Sequence, residues 1–294
     1  MSIDLQQVSR RRLLELGALG ALSAVGLAAC GSGGDSSAAT RSAGSAGSSG
    51  TTGSPATTSP ATTLPATSTT GASAASDCSV IPEETAGPYP GDASNGPDVL
   101  SESGVVRSDI RSSFGSSGSA NVLPSGVPAK IQFQVVNASA GCTPMKDAAV
   151  YVWHCDGQGR YSMYSSGVTN ENFLRGVQPS DGNGMVTFES LFPGCYSGRW
   201  PHIHFEVYPG VSSATSANGK IATSQIALPR DLCNSVYGAN ASLYPGSASN
   251  LAQVSLDTDM VFRDDGAVHE MATVTGDAAQ GYTLALRVPV LVNA

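Results

Sequence analysis

From residue 130 onward the apolar positions recur with a period of two. In KIQFQVVNA, Ile131, Phe133 and Val135 fall on one face, as in a strand with one buried side. GMVTFESL and HIHFEVYP alternate in the same way, and AAVYVWHC is an unbroken apolar run of strand length. DMVFRDD, HEMATVTG and the terminal GYTLALRVPVLV continue the series. Between these runs stand turn-forming groups such as PSDGNG and LFPGCYSG, in which Gly accepts positive φ. Asp156 and Asp181 read as turn formers. Helical signal is confined to a turn or two around LPRDLCNSVYG. Many short strands separated by turn residues predict an all-β sandwich or barrel with few short helices.

This pattern is missing from the first quarter of the chain. SRRRLLELGALGALSAVGLAAC joins a basic start to an apolar run too short and too rich in small residues to span a membrane, which takes about 20 apolar residues. It reads as an export signal over residues 1–30. Ser9 to Leu14 resemble the twin-arginine type, and Leu27-Ala28-Ala29-Cys30 resembles a lipobox whose cysteine would carry a lipid anchor. Residues 31–76 are almost wholly Ser, Thr, Gly, Ala and Pro, too poor in apolar area to offset the entropy of ordering, and read as a flexible tether. Residues 77–294 are then one domain. The formal net charge of -8, with no basic run after the signal, argues against nucleic acid. Cys78, Cys142, Cys155, Cys195 and Cys233 follow Cys30. In an oxidising compartment they lead one to expect two disulfides and one spare thiol. Cys142 and Cys155 flank a predicted strand and lie too far apart to bond each other.

The candidate chemistry lies in CYSGRWPHIHFEVYPG. The chain has four histidines, and His202 and His204 project from the same face of one predicted strand, where two imidazoles can hold one metal. Tyr196 lies six residues before His202, and GQGRYSMYSS supplies Tyr161 and Tyr164. A phenol, with a pKa of about 10, is a poor ligand for Zn²⁺ or Cu²⁺ at neutral pH. Fe³⁺ is a hard, highly charged acid able to displace the phenolic proton. Two His and two Tyr therefore select ferric iron.

With those residues placed, the stretch from Cys78 to about Val290 resembles the intradiol ring-cleavage dioxygenases, in particular the exported members. The resemblance rests on CSVIPEETAGPYPGD, CTPMKDAAVYVWHCDGQGRYSMY, FLRGVQPSDGNGMVTFESLFPGCYSGRWPHIHFEV, TSQIAL and GYTLALRV. It implies a two-sheet β-sandwich holding one Fe(III) per chain through Tyr161, Tyr196, His202 and His204. It also implies that Tyr196 is the tyrosine displaced when a catechol chelates, that Arg199 stands beside the bound substrate, and that Gln225 is a polar neighbour. Arg175, in FLRG, is assigned to structure, and Tyr164 to packing or the pocket wall. The implied substrates are catechols and O₂, and the products are of cis,cis-muconate type.

Other readings fit less well. A cupin also uses a His-x-His pair but needs a glutamate several residues on, and Glu206 follows His204 too closely. A tethered binding module that kept the site without turnover is the alternative from another class. His154 reads as a packed strand-end residue, His269 as a surface residue in a polar strand, Trp153 as core and Trp200 as pocket rim.

Overall fold

A computed structural model of the chain describes residues 78–116 and 122–292. The expected signal, the lipid-bearing Cys30 and the tether over 31–76 lie outside the described residues. Among the described residues, nine strands and two α-helices occur in the order β1 (Pro128–Asn137), β2 (Thr143–Pro144), β3 (Ala149–Trp153), β4 (Arg175–Pro179), β5 (Met185–Leu191), β6 (His202–Tyr208), β7 (Ala222–Ala227), α1 (Arg230–Ala239), α2 (Ser247–Ala252), β8 (Thr273–Asp277) and β9 (Gly281–Val290). One sheet runs β2-β1-β9-β8, with β5 also paired to β1, and the other runs β4-β3-β6-β7. Every pairing is antiparallel except β1 with β9, which bonds in parallel from Ala129↔Tyr282 to Asn137↔Val290.

Alternation is realised where it was clearest. Ile131, Phe133 and Val135 of β1 are fully buried and meet Val150 and Val152 of β3 and Ile203, Phe205 and Val207 of β6 in one core between the sheets. Phe133 and Phe205 lie with ring centroids 4.9 Å apart. The turn before β5 closes as its residues require. Asp181 Oδ1 accepts the N–H groups of Asn183 and Met185, and Gly184 has φ +74° with no room for a Cβ, which would lie 2.3 Å from Val135 O.

The second face of the β3–β6 sheet is also covered. All of β6 is buried, including the polar positions of its alternating pattern. Tyr151 and Trp153 of β3, with Tyr161 and Tyr208, form a second cluster there, against which Ala86 and Tyr89 pack. A strap from Cys78 to Pro90 builds this outer layer. It is bonded to Cys142 at its start, hydrogen-bonded to β9 through Ile81 N–H and Pro289 O at 2.9 Å, and to β7 through Glu84 N–H and Thr223 O at 2.8 Å.

Four expectations need correction. DMVFRDD is not a strand: Asp259 Oδ1 accepts the N–H groups of Val261 and Phe262 and winds the segment into a 3-10 turn over Phe262–Asp264. His269 is half-buried in a turn ahead of β8. Trp200 is 3% exposed, and its indole N–H is bonded to Leu228 O at 2.9 Å, which makes it core instead of rim. Among the described residues one disulfide forms, Cys78–Cys142, and Cys155, Cys195 and Cys233 are buried free thiols. Two of those thiols reach backbone carbonyls instead of each other, Cys155 to Gly194 O and Cys195 to Arg199 O, both at 3.5 Å.

Candidate metal centre

β6 carries His202 and His204 on its outer face, so strand geometry fixes their separation. Their Nε2 atoms are 3.1 Å apart. Two loops bring the phenols to the same point. Tyr161 ends the turn that Asp156 closes by accepting the N–H groups of Gln158 and Arg160 and by pairing with the Arg160 guanidinium at 2.6 Å. Tyr196 lies in the loop between β5 and β6. The Tyr196 hydroxyl is 3.2 Å and the Tyr161 hydroxyl 3.5 Å from His202 Nε2. Two phenol oxygens and two ring nitrogens thus converge beneath the strap.

Their protonation follows from the surroundings. His202 Nδ1–H donates to Trp200 O, so its Nε2 carries a bare lone pair. Around that lone pair stand two hydroxyls and a second imidazole nitrogen, more groups than one lone pair can accept from. Burial first, then the Arg199 charge, holds His202 neutral far below the usual imidazole range. Burial and the adjacent His202 do the same to His204. His204 stacks on Trp153 at 4.9 Å and 5°, and its buried Nδ1 has no partner. Burial raises both phenols, Tyr196 to about 12 and Tyr161 well above its ordinary value.

These features fit a metal and narrow its kind. Imidazole nitrogens 3.1 Å apart subtend roughly 95° at a metal about 2.1 Å from each, an ordinary angle between adjacent ligands. Among the described residues no three His, Cys, Asp or Glu side chains come together as a metal site, and the oxygen donors beside the two imidazoles are the phenols of Tyr161 and Tyr196. Two phenols among the donors suit a hard, highly charged cation better than Zn²⁺ or Cu²⁺.

Beside the donors, Arg199 is fixed from two directions. Its Nε–H donates to Asp259 Oδ2 at 2.9 Å and its Nη2–H to Gln225 Oε1 at 2.7 Å. Gln225 is the register partner of His204 across β6 and β7, is fully buried, and donates to Thr85 O of the strap at 2.9 Å. All six sequence-predicted residues, Tyr161, Tyr196, Arg199, His202, His204 and Gln225, are therefore brought to one place.

The competing residues lie elsewhere. The Tyr164 hydroxyl accepts Gly91 N–H and donates to Asn95 Oδ1, each at 2.8 Å. His154 is buried and bonded to Cys155 O and Ser190 Oγ, and burial lowers it to about 4. The Glu206 carboxyl is taken by Lys220 at 2.6 Å and by the Tyr208 hydroxyl at 2.7 Å, which removes the carboxylate a cupin would need.

The sequence reading missed Asp259, Phe262 and Gly87. Gly87, at φ +67°, lets the strap cross His204 so closely that a Cβ would sit 3.3 Å from the ring. Asp259 and Phe262 approach from a segment about 60 residues away in sequence, and no local pattern marks them.

Residues 115–212 match the family model Dioxygenase_C, described as dioxygenase, a span that holds both tyrosines, both histidines and Arg199. Among solved structures, the chain is similar to an intradiol ring-cleavage dioxygenase from Tetranychus urticae, at 24% identity over 73% of this chain and 95% of that one, with a TM-score of 0.53. A second dioxygenase structure, Tetur07g02040, matches at 25% identity over the same shares, with a TM-score of 0.52. No curated protein sequence matches the chain. The fold is that of the intradiol dioxygenase structures, mostly β with two sheets and few short helices, and residues 115–212 carry the dioxygenase family's sequence pattern.

Proposed function

We propose that this chain is an intradiol ring-cleavage dioxygenase that takes a catechol and O₂ and opens the ring between the two hydroxylated carbons to give a cis,cis-muconate-type diacid. One observation carries the reading: the hydroxyls of Tyr161 and Tyr196 and the Nε2 atoms of His202 and His204 converge on one buried point with Arg199 alongside. Those four side chains would hold one Fe(III), which when bound supplies the charge that keeps both phenols ionised and makes a chelated catechol reactive towards O₂.

The protein's own groups have distinct tasks. Tyr161 is 1% exposed, its ring packed on Tyr89 at 4.9 Å, and it is held as a permanent donor. Tyr196 is only partly buried, on the exposed side of the cluster. Its phenolate is the base that can take a catechol hydroxyl proton at Oη and swing outward. The Arg199 guanidinium faces the negative charge that builds on the substrate oxygens. The strap, closed by Gly87 and by Thr85 on Gln225, limits water on the histidine side.

Export with a lipid anchor at Cys30 belongs to the same proposal. The arginine pair and lipobox-like residues support it, and so does the Cys78–Cys142 disulfide, a bond that persists in oxidising compartments. Loss of membrane-associated protein in Cys30→Ser cells would bear this out.

Colour is the direct test. Iron-loaded protein is expected to show a broad visible phenolate-to-iron band that shifts on adding catechol, and to open the ring of at least one of catechol, hydroxyquinol or protocatechuate. Tyr161→Phe and Tyr196→Phe should each change the band, whereas Tyr164→Phe leaves it. Colourless iron-loaded protein, or no turnover across that panel, refutes the proposal.

A further inference from the structure

We infer that Asp259 is a positioning residue for the proposed reaction, holding the Arg199 guanidinium in the orientation in which it meets the substrate oxygens. The inference rests on the reading of Arg199 given above and goes further in assigning what sets its geometry.

Asp259 is fully buried, and its two oxygens divide the work. Oδ1 accepts the N–H groups of Val261 at 2.8 Å and Phe262 at 3.1 Å. Oδ2 accepts Arg199 Nε–H at 2.9 Å and Trp200 N–H at 2.7 Å. One carboxylate therefore ties the loop that carries Tyr196 and Arg199 to the 3-10 turn that carries Phe262. The Phe262 ring lies 5.8 Å from the Arg199 guanidinium carbon and 6.4 Å from the His202 ring, so the turn that Oδ1 builds also places the surface against which the guanidinium rests. Gln225 holds the far nitrogen. With Nε and one Nη2 hydrogen fixed, rotation about the last side-chain bonds is stopped, and three of the five guanidinium N–H groups remain for a ligand. Burial alone would raise the Asp259 carboxyl, but the hydrogen bonds from Arg199 and Trp200 outweigh that and keep it below its ordinary value, so it remains a charged anchor.

In Asp259→Asn, the negative charge opposite Arg199 is gone whichever way the amide turns, and one pair of donors faces an NH₂ group. Two measurements test the inference. The first, on the full chain purified without iron, follows hydrogen exchange of the Arg199 Nε–H by side-chain NMR, with the signal assigned from its loss in Arg199→Lys. A clamped Nε–H is expected to exchange at least about tenfold more slowly than free arginine, and Asp259→Asn to abolish most of that protection. The second titrates catechol into the iron-loaded protein by its visible band. Asp259→Asn should weaken binding by about 10- to 100-fold, but by less than about threefold in an Arg199→Met background, because the aspartate acts through the arginine.

Equal losses in both backgrounds, or Nε–H exchange at the free rate in the unaltered protein, would overturn the inference. Should Asp259→Asn fail to fold, the exchange rate in the unaltered protein still decides. Should that protein bind no catechol while its Arg199 Nε–H is protected, the proposed function fails and the clamp stands.

Discussion

Arg175 makes a sharp test of whether a buried charge in this domain serves structure or chemistry. It is 1% exposed, and all five of its N–H groups are used. Nε donates to Ser162 Oγ at 3.0 Å, Nη1 to Pro90 O at 2.8 Å and to the Tyr151 hydroxyl at 3.1 Å, and Nη2 to Tyr89 O and Ser162 O, both at 2.9 Å. The guanidinium thus stitches the strap, at Tyr89 and Pro90, to the residue next to Tyr161. Arg175→Lys keeps the charge but offers three donors in place of five, so at least two buried acceptors lose their partner. At about 1–3 kcal/mol for each unsatisfied group, the loss is about 2–6 kcal/mol. For a domain of this size that corresponds to a fall in Tm of roughly 5–20 °C. Calorimetry on Arg175→Lys and Arg175→Met is expected to show lysine rescuing little of the loss, with the visible band of whatever folds unchanged in kind. A lysine variant melting within about 2 °C of the parent would refute the five-donor account, and one with full stability but no turnover would place Arg175 in the chemistry.

Two further outcomes follow from the same framework. The Cys78–Cys142 bond closes a loop with a sequence separation of 64, so replacing both cysteines by alanine should lower the stability measured by urea unfolding by about 4 kcal/mol; a loss under about 1 kcal/mol would mean that the strap's hydrogen bonds alone hold its start. Glu270 is fully buried, accepts from Ser224 Oγ at 3.1 Å and has one unpartnered oxygen; burial, then the charge of Glu84, raises it to about 8. Between its ordinary value of 4.5 and about 8 the folded protein holds a proton that the unfolded chain has released. The contribution of Glu270 to stability should therefore fall as pH rises through that window, by at most about 1.4 kcal/mol per pH unit, and then level off. Glu270→Gln should flatten the slope, and parallel pH profiles for the two proteins would show that Glu270 titrates normally.

The sequence made most of this legible where one element does the work. The alternation of β1 and the apolar run of β3 follow from their own residues, and the i, i+2 spacing of His202 and His204 already places both imidazoles on one face. Tyr161 is told from Tyr164 only through the resemblance carried by GRY, and the two side chains do end in different surroundings. What escaped notice depends on pairs distant in sequence. DMVFRDD looks like a strand because Met260, Val261 and Phe262 form a short apolar run between charged residues, yet Asp259 takes three backbone N–H groups and the Arg199 side chain and so defeats the extended form. The alternation of HIHFEVY suggested a solvent-facing side, but the strap that buries it begins more than a hundred residues earlier. Of the pairings that the sequence left open to the five cysteines, Cys78 with Cys142 lies where the strap meets the β1–β2 corner.

Burial of β6 on both faces bears on how the proposed four-donor site could be rigid and still admit a substrate. The histidines cannot move, because each is held by its strand and by neighbours on both sides, His202 through Trp200 O and His204 between Trp153 and Gly87. Tyr161 is locked under Tyr89. Of the four donors, Tyr196 is the one with exposed neighbours, Ser197 and Gly198, and its loop includes Gly198 at φ +84° with open space beside it. Arg199, the next residue, is restrained by Asp259 and Gln225, so under the proposed function the tyrosine could be displaced without carrying the arginine with it. A tyrosine that can leave between a fixed cation and a fixed ligand set is what exchange of a protein phenolate for a catechol oxygen requires. Straining the resting loop by Gly198→Ala, at a positive φ that alanine resists, should favour release of Tyr196 and speed catechol chelation in stopped-flow measurements. Equal chelation rates in the two proteins would show that displacement does not depend on the loop.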